Sequence, residues 1–233
     1  MIDLNCDIGE LDDIAHEAAL MEYITSANVA CGGHAGDEAT MERTARLALA
    51  RGVRIGAHPS YPDRANFGRL VMNLSAGEIE ATLREQIERL EGVVQNLGAA
   101  ITHVKPHGAL YNVAARDRRV AEAIGTAVNG WNRDAIVFGL AGSLAIEVWR
   151  EMGLKVWAEA FADRRYEPDG SLRARRFADA LITDPQEAAA QALRFAREGH
   201  AQTLCVHGDT PGAVEILKAC RETLGLQSER SRS

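Results

Sequence analysis

An α/β fold on a parallel sheet is what this sequence predicts, and three observations predict it. One unit recurs along the chain: a short apolar run, a polar cluster rich in Gly, Pro, Asp and His, then a segment with helical periodicity. Seven such runs can be counted. Residues able to do chemistry collect at the carboxyl ends of those runs, where parallel α/β folds assemble their sites. Strands and helices alternating in this way call for right-handed crossovers, which close into a barrel or wind over both faces of an open sheet.

The elements follow in order. The first run, MIDLNC (residues 1–6), is followed by Asp7 and Glu10 and passes almost directly into helical LDDIAHEAAL. The second, SANVAC (26–31), continues through CGGHAGD with His34 and Asp37 to a helix from Glu38, which Asp37 is placed to cap as readily as to serve a site. The third, VRIGA (53–57), ends at His58. Ser75 with Glu78 forms a capping box ahead of a helix carrying Ile79, Leu83, Ile87, Leu90, Val94 and Leu97 on one face. AITHV (100–104) opens onto Lys105, His107 and Tyr111, and AIVFG (135–139) is the fifth run. The sixth, LKVWAEA (154–160), holds Glu159 and closes near Asp163. Residues 162–180 break the rhythm, and their Asp169-Gly170 turn signal predicts a hairpin excursion. Asp184 before Pro185 and Thr210 before Pro211 each put a capping side chain ahead of a proline. Between them TLCVH (203–207) is the seventh run, ending at His207 and Asp209. No linker interrupts residues 1–226, which read as one domain, and 227–233 read as a disordered tail.

Composition excludes several classes. With 233 residues, 46% hydrophobic and 25% charged, the chain can bury a full core. A net charge of −7 argues against a nucleic-acid surface, which needs clustered cations. No apolar run reaches the roughly 18 residues of a membrane span. Four cysteines without C-x-x-C spacing, and a start with no basic or apolar leader, predict reduced thiols and a cytoplasmic protein. Cys6, Cys31 and Cys205 read as small buried hydrophobes. There is no G-x-x-x-x-G-K-[ST], and no G-x-G-x-x-G follows a strand, so any nucleotide is held without a standard cradle or on another chain.

His34, His58, His107 and His207 stand at strand ends, whereas His16 and His200 lie in helical surroundings and His103 lies inside a strand, a structural position. Asp7, His34 and His58 are an oxygen-and-nitrogen set that could take a metal, although no H-E-x-x-H spacing fixes it. Only three of the 26 Lys and Arg residues are lysines. Lysine at position 105 therefore points to a need for a compact charge, or for an amine whose pKa can be lowered.

The motifs DLNCDIGE (3–10), SANVACGGHAGD (26–37), IGAHPSYPD (55–63), HVKPHGALYN (103–112), FADRRYEPDG (161–170) and CVHGDTP (205–211), in this order, closely resemble the LamB/YcsF family. The resemblance implies an irregular seven-stranded parallel β/α barrel of the deacetylase type. It also implies one subunit's part in the ATP-dependent opening of the lactam 5-oxo-L-proline to L-glutamate, with two further subunits, B and C. Three departures stand out. Glu10 runs into a helix where a longer Gly-rich loop is usual, and Gly33 and Ser60 replace an aromatic and a glycine. A lactam resists water, so ATP, with Mg2+, would phosphorylate the amide oxygen and make the ring carbon electrophilic, with no tightly bound organic cofactor. Such a site needs a cation, for which Lys105 and Arg164 are candidates; a base, for which Asp7, His107 or Glu159 are placed; and oxyanion donors, for which His34, His58 and His207 are placed. Asn5, Glu10 and Asp37 join Arg164 as candidates for holding substrate. Two alternatives fit the same residues: a metal-dependent amide hydrolase or deacetylase working without ATP, and a non-catalytic lactam- or sugar-binding subunit.

Overall fold

The computed structural model describes residues 2–226. Its seven strands are β1 (Asp3–Ile8), β2 (Ser26–Ala30), β3 (Arg54–His58), β4 (His103–Val104), β5 (Ile136–Leu140), β6 (Lys155–Phe161) and β7 (Thr203–Cys205). They pair in chain order, all parallel, and β1 closes on β7 through Asp3↔Thr203, Leu4↔Leu204 and Asn5↔Cys205. The barrel is therefore realised, and the open doubly wound sheet is not.

Around it run α1 (Ile14–Leu20), α2 (Glu38–Ala50), α3 (Ala76–Asn96), α4 (Gly108–Ala114), α5 (Arg118–Trp131), α6 (Leu144–Glu151), α7 (Pro185–Glu198) and α8 (Ala213–Thr223). Local chemistry sets their starts. Ser75 and Glu78 make the reciprocal capping box of α3, and Asp184 accepts the Glu187 amide at 2.8 Å with Pro185 in the first turn of α7. Thr210 does not cap α8, which begins after Gly212; its hydroxyl instead donates to Asp163 Oδ2 at 2.6 Å. Between β6 and α7 the chain makes the expected excursion, with antiparallel bridges Arg164↔Leu181 and Tyr166↔Leu172 and Gly170 at φ +82°. The expected tail, 227–233, lies outside the described residues.

Period-two alternation splits each strand between two environments. Leu4, Cys6 and Ile8 of β1 point outward and join Val29, Ile55, Ala57, Val104, Val137 and Leu204 in the apolar layer beneath the helices. Asp3, Asn5 and Asp7 point into the barrel, where their side chains bond to groups on other strands. Parallel barrels of this kind are generally filled by branched apolar side chains, whereas here the interior is largely polar, with Phe138 stacked on His103 and Phe161 beside Lys105 as aromatic exceptions, and the polar groups must be hydrogen-bonded. All four cysteines are free and buried. No helix among the described residues is long and apolar enough to cross a membrane.

Candidate active site

The polar interior rises in layers towards the strand ends. At the bottom, Asp3 accepts from Ser26, Arg54 and Thr203 at 2.8, 2.6 and 2.5 Å. Above it His103 Nε2–H donates to Asn28 Oδ1 at 2.9 Å, and the Asn28 amide then donates to Asn5 Oδ1 and Asp7 Oδ1, each at 2.8 Å. Gly56 makes room for this ring, since a Cβ there would fall 2.1 Å from His103 Nε2. Burial pushes His103 down to about 3, which keeps it neutral and fixes the Asn28 amide that orients Asp7.

Lys105 crowns the layers. Its Nζ lies 2.9 Å from Asp7 Oδ1, 3.0 Å from Glu159 Oε1 and 3.1 Å from Cys205 Sγ, in a side chain 3% exposed. Burial alone would discharge the amine, but Asp7, Cys205 and Glu159 outweigh it and hold the pKa well above the ordinary lysine value. This direction is opposite to that of the lowered amine considered for position 105. Burial likewise opposes ionisation of Asp7, yet the charges of His58 and Lys105 hold its carboxyl well below the usual range.

A second cluster stands beside the first. Glu10 Oε1 lies 2.8 Å from His34 Nε2, 3.2 Å from His107 Nδ1 and 3.6 Å from His58 Nε2. His58 Nε2 is also 2.9 Å from His107 Nδ1 and 3.3 Å from Asp7 Oδ2. Glu10 reaches this position because the short loop after β1 is pinned by Glu17 of α1, whose Oε1 accepts the amides of Gly9, Glu10 and Leu11. Burial would raise the Glu10 carboxyl, but the His107 and His34 rings beside it pull it far below the ordinary value. Burial pushes His34 down to about 4 despite its bond to Glu10, whereas in His58 the charge of Asp7 overcomes burial and raises the ring.

His207 faces the same space from β7's end. Asp163, fully buried, accepts from the His207 backbone amide at 3.0 Å and lies 3.0 and 3.1 Å from its Nδ1. A carboxylate can only accept, so Nδ1 carries the hydrogen and Nε2 is left free. Burial opposes ionisation of Asp163 but the His207 charge and hydrogen bonds lower its pKa.

These groups open into one cavity of about 760 Å³, whose wall includes Asp7, Glu10, His58, Lys105, His107 and His207. Arg164 is on the wall too, with Nη2 bonded to the Arg173 carbonyl at 2.7 Å and Nε unpartnered. His34 sits behind Glu10, stacked on His107 at 3.6 Å. Three candidates are displaced. Asp37 is exposed, accepts the Thr40 amide at 2.8 Å as the cap of α2, and does not line the cavity. Asn5 and Glu159 are wholly buried beneath Lys105 and do not line the cavity, so Glu159 is not placed as a base on its wall. The metal trio is repartitioned, because Asp7 bonds Lys105 and lies 3.3 Å from His58, while His34 bonds Glu10. His16 donates from Nε2 to the Gly208 carbonyl at 2.9 Å and His200 is exposed, both off the cavity wall.

Other contributors were not singled out by sequence. Asn28 orients Asp7, and its inward position two residues from Ser26 is the signal that strand alternation offered. Arg69 and Arg175, which share Asp209 at 2.8 Å each, form a basic rim with the excursion's Ser171 and Leu172. The departure at Gly33 has a physical reason: a Cβ there would sit 2.3 Å from Gln86 Oε1 and 2.5 Å from Ser60 Oγ, which occupy that space.

The LamB/YcsF family profile matches residues 2–232. The chain is 49% identical to the 5-oxoprolinase A subunit of Chloroflexus aggregans, covering 96% of this chain and 94% of that one. It is 44% identical to the 5-oxoprolinase A subunit of Bordetella pertussis with the same coverage. The crystal structure of a lactam utilization protein from Thermus thermophilus superposes with a TM-score of 0.90 at 40% identity, over 96% of both chains. By its sequence over nearly its whole length and by its barrel, the chain belongs to the LamB/YcsF family.

Proposed function

We propose that this chain is the A subunit of an ATP-dependent 5-oxoprolinase, a hydrolase that opens 5-oxo-L-proline to L-glutamate together with subunits B and C in the cytoplasm. The observation that carries the reading is the buried Lys105 ammonium between Asp7 and Glu159, on the floor of a cavity with an arginine rim. A small anionic lactam needs such a point of anchorage, and the rim arginines Arg164 and Arg175 suit its carboxylate or a phosphoryl group.

In this reading ATP, with Mg2+, transfers a phosphoryl group to the amide oxygen and ADP leaves. Water then adds to the ring carbon, the ring C–N bond breaks with a proton delivered to nitrogen, and a second water releases phosphate from the acyl phosphate. The proton transfers fall to His207, whose Nε2 is free while Asp163 fixes the other nitrogen. That assigns His207 acid–base work in place of oxyanion donation. Asp7 is too weak a base, since Lys105 and His58 hold it ionised, and it orients water instead. Lys105 stabilises negative charge as it develops.

The test is formation of glutamate and ADP from 5-oxoproline and ATP by the purified chain, with and without subunits B and C. Turnover is expected only from the combination. Robust glutamate formation by this chain alone, or none from any combination, would overturn the reading.

A further inference from the structure

Hydrogen accounting in the Glu10 cluster leaves a gap. A backbone carbonyl only accepts, so His58 Nδ1, 2.7 Å from the Lys105 carbonyl, carries a hydrogen, and so does His107 Nε2, 3.0 Å from the Phe67 carbonyl. In the neutral rings the remaining nitrogens, His58 Nε2 and His107 Nδ1, are bare lone pairs, and they face one another at 2.9 Å. Glu10 Oε1 adds a third lone pair at 3.2 and 3.6 Å from them. With both rings neutral, three lone pairs thus converge with no hydrogen between them.

We infer that Glu10, His58 and His107 bind one divalent transition-metal ion, of the Zn2+ class, with an open coordination position facing the cavity. Three lines of geometry agree. Bonds of about 2.0 to 2.1 Å in a tetrahedron require ligand atoms about 3.3 Å apart, and the observed separations run from 2.9 to 3.6 Å. Each histidine already donates its other ring N–H to a carbonyl, the partner arrangement that fixes metal-binding imidazoles. The rings stand at 89° to each other, so their lone pairs can meet at a point, whereas His34, parallel to His107 at 1°, cannot share that point and instead donates to Glu10.

The surrounding backbone is shaped for this placement. Phe67, whose carbonyl holds His107, sits at φ +54°, a costly conformation for a non-glycine residue. Next to it Gly68 packs against the histidines; a Cβ there would come within 3.0 Å of His107 and 3.1 Å of His34. All three ligands line the cavity, and Asp7 Oδ2, 3.3 Å from His58 Nε2, borders the open side as acceptor for a bound water. Two nitrogens and one oxygen favour Zn2+ or Co2+ over the all-oxygen shell of Mg2+. The inference is separate from the lactam reading, because its readout needs no substrate.

The test is titration of chelator-treated full-length protein with CoCl2 followed by visible absorption, and with ZnCl2 followed by calorimetry. One ion per chain with a dissociation constant below about 10 μM is expected, with cobalt bands of four- or five-coordinate intensity. His58→Gln, His107→Gln and Glu10→Gln should each weaken binding at least 100-fold, and His34→Gln about 10-fold as an outer-shell partner. Cys205→Ser should bind as the parent chain does, which separates this cluster from the nearby Asp7, Cys205 and His207 group. Should a variant fail to fold by circular dichroism, the wild-type titration still decides. No saturable binding by the wild type, binding unchanged in all three ligand variants, or loss in Cys205→Ser would overturn the site and leave a shared proton as the occupant of the cluster.

Discussion

The Asp163–His207 pair gains its importance from what it leaves free. Asp163 is buried, bonds three groups and fixes the ring, so only Nε2 is available to the cavity. Replacement of His207 by Gln should lower kcat by about 10²- to 10⁴-fold in the reconstituted assay with the fold intact. A loss below tenfold would remove its acid–base role. His207 was visible in the sequence as a strand-end histidine, but Asp163 was not separable from a loop carboxylate, since the two residues meet only through the barrel. The same holds for Glu10, whose partners His34, His58 and His107 come from the ends of three different strands.

At the scale of elements, helix starts were legible where the cap is local and illegible where a distant group competes for it. Ser75 and Asp184 bond amides three residues on, whereas the Thr210 hydroxyl is taken by Asp163, 47 positions earlier. Ser75→Ala should cost about 1 kcal/mol of stability through α3, read from the urea midpoint. Strands β3 and β4 are locked by the packing of His103 on Gly56. Gly56→Ala overpacks that contact and should destabilise by about 1 to 3 kcal/mol, and a neutral outcome in urea melts would show that the ring can move aside. The seven runs were recognisable as strands, but their inward polar residues were obscured, because a polar barrel interior breaks the apolar pattern that marks a strand.

Across the whole molecule, stability should fall as pH falls. His103 titrates near 6.5 in the unfolded chain and at about 3 when folded, so its contribution is complete above 6.5 and is lost as pH drops towards 3. The depressed carboxyls of Asp7, Glu10 and Asp163 act in the same direction at lower pH, from about 4 downward. The urea midpoint should therefore decline between pH 6.5 and 4, less steeply in His103→Gln, and identical slopes would dissociate His103 from the effect. Barrel closure itself could not be read from any single stretch, since the pairing of β1 with β7 joins residues 200 positions apart through Asp3 and Thr203. What closure accomplishes is to bring a lysine and an aspartate from different strand ends to 2.9 Å at a buried point, where a planar guanidinium is expected not to replace the compact ammonium. The most direct measurement is 5-oxoproline-dependent glutamate formation by the assembly reconstituted with a folded Lys105→Arg chain. A rate at least about 10³-fold below wild type is expected, and a near-normal rate would contradict the claim that the strand ends form one site around this lysine.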